Sequence, residues 1–107
     1  MKATYWQTGN TMDYSNLGSE VIEAGSVVTL GKRIGVAGTT IEVGKVGSIH
    51  VTGVFEMAKA AEAISYGDEL YYDQEEEVVT KTASDIKAGY AFELKASDKA
   101  TVLVKIG

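Results

Sequence analysis

Two glycine-rich segments are the first places where this sequence could bind a phosphate group. Residues 25–33 and 38–46 each place a Gly-Lys pair after an earlier glycine. In both, five residues separate the glycines, and Arg33 or Val46 follows the lysine. A Walker loop has about four residues there, a Ser or Thr after the lysine, and a helix beyond, whereas strand-like residues follow here. We interpret both segments as turns and predict no nucleotide cofactor.

A histidine and a run of acids are the other candidates for chemistry. His50 is the sole histidine, and the chain has no cysteine, so no thiolate or multi-histidine metal site can form. The acids could attract a cation, but they lack the alternating Asp/Asn positions and central glycine of a calcium loop. We therefore predict no catalytic residues, no metal and no cofactor, and interpret the acids as a solvated turn. They are Asp68, Glu69, Asp73, Glu75, Glu76 and Glu77.

Composition narrows the class of protein further. A chain of 107 residues with a net charge of −5 predicts one domain that does not bind nucleic acid through its phosphates. Residues 1–53 carry four bases and four acids, whereas residues 54–107 carry six bases and eleven acids, so the whole excess lies in the second half. The N-terminus has no apolar signal core, and no apolar run is long enough to span a membrane. We expect a soluble protein without an export signal.

The expected elements are short strands joined by glycine turns. There is no proline among the 107 residues but twelve glycines, and the pattern Ile-x-x-Gly recurs from Ile22, Ile41, Ile64 and Ile86. Three of the four patterns run into an apolar strand. We predict a mainly β fold of about eight short strands, arranged as a small β-barrel or a β-clip-like domain.

One short helix is expected near residues 57–64. Helix-forming residues follow Met57, and Met57, Ala60, Ala61 and Ile64 would share one helical face. This helix would follow a strand that includes Val51 and Phe55.

Two groups of residues are candidates for contacts with partners. We predict that residues 1–20 form an N-terminal arm or edge strand and that residues 21–107 form a single β domain. Apolar anchors in the arm could order on a partner; they are Tyr5, Trp6, Met12 and Tyr14. A second group could pack in the core or at a subunit interface, where tyrosine is favoured; it comprises Tyr71, Tyr72, Tyr90, Val102 and Val104.

The whole chain resembles the phage and prophage proteins grouped as DUF2190, which are capsid cement, or head decoration, proteins. The resemblance lies in the N-terminal Lys-Ala-Thr-Tyr-Trp-Gln, Arg-Ile-Gly-Val-Ala from Arg33, Gly-Ser-x-His-Val-Thr-Gly-Val-Phe from Gly47, and Ala-Thr-Val-Leu-Val-Lys-Ile from Ala100. Some members of this family carry an older label of RecA-like recombinase, which the missing Walker loop contradicts here.

This resemblance implies a structural virion protein rather than an enzyme. It implies a homotrimer that binds the major capsid protein on the outside of a tailed-phage head, in the host cytoplasm before assembly and on the virion afterwards. It implies a β-clip-like fold by analogy with lambda-type decoration proteins, and no catalytic residues. A small ligand-binding β domain, for example for carbohydrate, is the alternative that the tyrosines and the acidic turn leave open.

Overall fold

Short alternating apolar segments and glycine turns give this chain nine strands and no helix. The computed structural model describes residues 1–107. The strands are β1 (Thr11–Ser15), β2 (Val27–Leu30), β3 (Arg33–Ala37), β4 (Val46–His50), β5 (Gly53–Ala58), β6 (Glu69–Asp73), β7 (Val78–Thr80), β8 (Lys87–Ala91) and β9 (Thr101–Ile106).

All nine strands belong to one sheet, so the predicted mainly β class is confirmed. The longest path through the sheet runs β1-β4-β3-β8-β6-β7, with β2 on the side of β3 and β9 between β5 and β8. Pairing is antiparallel except between β3 and β8, which meet in parallel at Arg33 and Lys87. The predicted barrel is wrong, because a barrel needs a neighbour on both sides of every strand and β1 and β2 each pair with one strand only.

The predicted helix at residues 57–64 is also wrong. Met57 and Ala58 belong to β5, where they pair with Val102 and Thr101 of β9. The residues that follow make isolated bridges instead of helical turns, at Lys59 and Ile64. A two-turn helix gains little by itself in water, so pairing with β9 outweighs the helix propensity of the alanines.

The core lies mainly in the second half of the chain. Strand β9 alternates strictly, with Val102, Val104 and Ile106 completely buried. The main apolar cluster has eleven buried residues, of which Ile34 and Val36 come from β3 and the others from residues 57–106. A smaller cluster of Ala37, Ile41 and Ile49 supports the first half. Strands β6 and β7 form a hairpin around the acidic turn and pair from Tyr71–Thr80 to Asp73–Val78.

Three of the four Ile-x-x-Gly segments fold into the same unit. In each, a turn clamps the end of another strand, which means that it exchanges two backbone hydrogen bonds with one residue there. In the first unit, Ser26 N–H donates to the Glu23 carbonyl at 3.0 Å across the turn, and Gly25 has a φ of 88°. A positive φ at the third turn position is typical of a type II turn and favours glycine. Gly25 N–H then donates to Ala37 O, and Ala37 N–H donates back to Ser26 O.

The same pair of hydrogen bonds recurs in the other two units. Gly44 N–H donates to Asn16 O while Asn16 N–H donates to Lys45 O, and Gly67 N–H donates to Ala91 O while Ala91 N–H donates to Asp68 O. The three clamped residues are therefore Ala37, Asn16 and Ala91. Each unit joins segments that are far apart in the sequence.

The fourth pattern, from Ile86 to Gly89, folds differently. Its glycine lies inside β8 with a φ of 148°, and a Cβ there would collide with the carbonyl oxygen of Lys105 on β9. Glycine at this position allows two backbones to approach closely.

The folded chain measures 39 × 39 × 21 Å along its principal axes.

Candidate functional site

Of the predicted arm of residues 1–20, residues 1–10 precede β1, are all exposed and form no strand or helix; this shorter segment is called the arm below. Tyr5 and Trp6 are 77% and 88% exposed. The only side-chain hydrogen bonds of the arm are local: one between the Tyr5 and Thr8 hydroxyl groups at 3.3 Å, and one from Gln7 Nε2 to Thr11 O at 3.5 Å. Its backbone touches the domain once, where Asn10 O accepts from Val51 N–H. The arm thus presents two aromatic side chains that nothing in the domain covers.

The other two predicted contact residues lie on β1, directly after the arm. Met12 is 41% exposed and lines a cavity of about 260 Å³ together with Leu30 and Val51. Tyr14 is half-buried and packs against the small cluster around Ile41. Strand β1 pairs with β4 on one side only, so its other edge offers free backbone groups. The structure therefore places Tyr5, Trp6 and Met12 at an accessible surface and Tyr14 partly in the core.

The five interface candidates are divided between surface and core. Tyr90 is 44% exposed, and Tyr71 and Tyr72 are half-buried. Val102 and Val104 are completely buried by their own chain, so they have no surface to offer a second copy. We correct their assignment from the subunit interface to the core.

A groove beside the β6–β7 hairpin is a concave site with a volume of about 720 Å³. Its lining includes Tyr72, Lys59, Asp73 and Glu75. Burial, followed by the negative charges of Glu77 and Asp73, raises the pKa of the Tyr72 phenol. Lys59 is buried, and its ammonium donates to the Ala60 and Lys99 carbonyl oxygens at 3.0 and 3.1 Å. Aromatic and acidic groups of this kind are what a ligand-binding domain would use, so this groove would serve the alternative function.

The remaining titratable candidates are His50 and the carboxylates. No group of three or more His, Asp or Glu side chains is placed to hold a metal ion. His50 is half-buried on β4, with its ring 5.8 Å from that of Phe55. The Glu62 carboxylate accepts from Lys81 N–H at 2.6 Å and from the Thr80 hydroxyl at 2.8 Å, and the first of these hydrogen bonds is the main cause of its lowered pKa. No helix is present that could cross a membrane.

One buried polar residue that sequence reasoning missed is Asn16. Its side-chain amide donates to Glu20 O at 2.8 Å and Ile41 O at 2.9 Å, and its Oδ1 accepts from Gly18 N–H at 3.1 Å. With the two backbone bonds of its turn unit, Asn16 joins the loop after β1 to the turn before β4. Nothing in the local sequence marks it, because its partners lie as far as 25 residues away.

Sequence reasoning did not connect four exposed apolar residues with the turn units. Leu17 and Val43 belong to the Ile41 unit, and Tyr66 and Phe92 belong to the Ile64 unit; their exposed fractions run from 50% to 88%. The signal that could have found them is the repeat itself, since equivalent positions can be compared once the Ile-x-x-Gly segments are aligned.

Exposed apolar side chains such as those of Tyr5 and Trp6 are typical of surfaces that contact a partner. Comparison with known families agrees: the family model of the phage cement protein matches residues 6–106. The chain therefore belongs to the phage cement protein family, as its resemblance predicts. No curated protein and no solved structure matches the chain. Membership supports a structural role on a phage capsid, and it does not favour the ligand-binding alternative.

Proposed function

We propose that this protein cements a phage head by binding the outer surface of the assembled shell as a homotrimer, without catalytic activity. Its partner would be the major capsid protein of a tailed phage, and the chain would stay in the host cytoplasm until assembly. Cementing follows from mass action: a protein that binds only the assembled lattice stabilises it, by about 2.7 kcal/mol per site at a free concentration one hundred times Kd.

The exposed arm is the observation that carries this proposal. Ten residues can reach about 33 Å when extended, so the arm can extend well beyond the domain. It continues directly into β1, whose outer edge is unpaired. We propose that the arm adds a strand to a sheet edge of the capsid, with Tyr5 and Trp6 as anchors and with Met12 and Tyr14 at the base of the contact. Aromatic anchors of this kind commonly dominate binding energy.

Co-sedimentation with expanded phage capsids tests this proposal. Deleting residues 1–10 removes the arm but keeps β1, which pairs with β4 from Thr11 to Ser15. We expect the shortened chain to remain folded and to lose capsid binding. Trp6→Ser alone should weaken binding at least tenfold. Val54→Ser removes an exposed apolar side chain outside the arm and is the matched control.

Two results would contradict this assignment. If the shortened chain sediments with capsids as the full chain does, the arm is not the contact. If the full chain does not bind capsids at any stage of their maturation, the proposed function itself fails.

A further inference from the structure

We propose that the N-terminal arm has a second position, in which it folds back on its own chain and places the Trp6 indole in the cavity of about 260 Å³ that Met12 lines. This cavity is called the Met12 cavity below. The structure shows the arm in its released position, with Trp6 88% exposed. Docking is a property of the single chain, and only its consequence for capsid binding rests on the proposed function.

The sheet has a gap at the place where the Met12 cavity lies. Strand β2 pairs with β3 from Val27–Val36 to Leu30–Arg33 and occupies one side of β3. Strands β4 and β8 share the other side, where β4 pairs at Val36 and Ala37 and β8 pairs at Arg33 only. The backbone of β3 between these contacts has no neighbour on that side. The cavity lies at this gap, because its lining includes Val51, which follows β4, and Lys87, which begins β8.

The register of the sheet directs the arm past the same gap. Strands β1 and β3 both pair antiparallel with β4, and Thr11 and Val36 face His50 from its two sides. Strands β1 and β3 therefore run parallel to each other, and the arm leaves β1 in the direction of the start of β3. Gly9, two residues before Thr11, reaches the level of Ile34, which also lines the cavity.

The length of the arm allows Trp6 to reach the cavity. Asn10 is held beside the cavity, since its carbonyl oxygen accepts from Val51 N–H and Val51 is part of the lining. Trp6 is four residues before Asn10, and four residues reach about 13 Å. Gly9 and Asn10 form a turn, which lets the arm change direction at this point. So short a tether gives the indole an effective concentration on the order of millimolar at the cavity, so a weak contact is enough to populate the docked position.

The lining of the cavity suits an indole ring. It combines an apolar set with two cations; these are Met12, Leu30, Ile34 and Val51, and Arg33 and Lys87. The apolar residues would remove the ring from water. A guanidinium or ammonium within about 6 Å of an aromatic face is attracted by the π-electrons, most strongly for tryptophan. A cavity of about 150 Å³ holds benzene, so 260 Å³ has room for the larger indole.

Both cations are available to such a ring. Arg33 is exposed and forms no ion pair. The Lys87 ammonium is 3.9 Å from a Glu69 carboxylate oxygen, in a pair whose two side chains are more than half exposed. An exposed pair of this length contributes little, so Lys87 can leave it for the ring.

Docking and capsid binding would compete for the same side chain. While Trp6 is in the cavity, it is not available as an anchor on the capsid. The apparent affinity for the capsid is then reduced in proportion to the fraction of chains whose arm is released. The cavity therefore acts as an internal competitor that keeps the aromatic anchor covered until a stronger partner takes it.

Tryptophan fluorescence tests the docked position in solution, because Trp6 is the only tryptophan of the chain. The reference is a peptide of residues 1–10, in which the ring is fully in water. The natural chain should emit at a shorter wavelength than the peptide. Acrylamide should quench it at least about threefold less efficiently, since a pocket covers about 70–90% of the surface of its occupant. Neither property should change on dilution, because the tether is part of the same chain.

A double variant removes one apolar and one cationic contact from the cavity. Met12→Ser with Arg33→Ser should move both the emission and the quenching to the values of the peptide. Val54→Ser with Lys45→Ser is the matched control, since both side chains are exposed and lie outside the cavity. The control should behave as the natural chain does. Urea midpoints from circular dichroism show that both variants are folded.

Three results would overturn the proposal. A natural chain that emits and is quenched as the peptide is has no docked arm. A shifted emission that the Met12→Ser, Arg33→Ser variant retains places the ring elsewhere, and one that is lost on dilution places it on a neighbouring copy. Capsid co-sedimentation is measured separately, so failure here does not count against capsid binding.

Discussion

Gly89→Ala is the substitution that should most clearly test the packing of β8 against β9. Its φ of 148° lies where residues with a side chain rarely go, and this alone costs about 1–3 kcal/mol. The added methyl group would also collide with the Lys105 carbonyl oxygen, which is backbone and cannot rotate away. The strands would have to separate, weakening their pairing at Tyr90–Lys105 and Ala91–Val104.

Two other glycines allow these causes to be measured one at a time. Gly44 has a φ of 78° but nothing within 4 Å of an added Cβ, so Gly44→Ala should cost only the backbone strain, about 1–2 kcal/mol. Gly47 has no positive φ, but an added Cβ would collide with the buried Ile41 side chain, so Gly47→Ala should cost about 1–3 kcal/mol through overpacking. Gly9→Ala has neither problem and is the control.

For Gly89→Ala, which combines both causes, we expect a loss of about 2–6 kcal/mol, a large part of the 5–15 kcal/mol typical of a domain. Urea unfolding followed by circular dichroism gives each free energy from the midpoint and the slope. If Gly89→Ala lowers the free energy of unfolding no more than Gly44→Ala does, glycine is not needed at position 89 for the close approach of β8 and β9.

Two further predictions concern polar groups. Asn16→Ala should lower the free energy of unfolding by about 2–4 kcal/mol, because it leaves the Glu20 and Ile41 carbonyl oxygens without their donor in a buried site. The control, Asn10→Ala at an exposed asparagine, should change the free energy of unfolding by less than about 0.5 kcal/mol. If urea unfolding shows equal losses for the two variants, the role of Asn16 is contradicted. The pKa of Glu62 is lowered from 4.5 in the folded state, so its stabilising contribution is present above about pH 4.5 and is lost as the pH falls through the folded pKa. Glu62→Gln should therefore be less stable than the natural chain at pH 6, and this difference should shrink at pH 3; a difference that does not change with pH would refute the assignment to the carboxylate.

Strand positions could be predicted from the sequence where alternation is strong and local. Strand β9 and the hairpin of β6 and β7 are examples, because apolar periodicity and turn residues specify them without reference to the rest of the chain. The alanine-rich segment after Met57 could not be predicted in this way, since it pairs with distant residues: Ala58 with Thr101, Lys59 with Val79 and Ile64 with Lys95.

Contacts between distant segments also limited the prediction of the candidate surfaces. The arm aromatics stand out in the sequence because they are close together and far from any apolar pattern. Val102 and Val104 are apolar and contiguous with Leu103, a pattern that fits a core strand and a subunit contact equally well. The choice between core and subunit contact depends on whether β9 has neighbouring strands on both sides, and it does, because β5 and β8 flank it.

The position of β9 has a consequence for how the protein is made. Strand β9 follows both β5 and β8 in the sequence, yet it lies between them in the sheet. As the chain leaves the ribosome, β5 and β8 therefore have no partner on that side until β9 has been synthesised, and unpaired strand edges are prone to aggregate. Folding of this part of the sheet has to wait for β9, although most of its strands are made earlier.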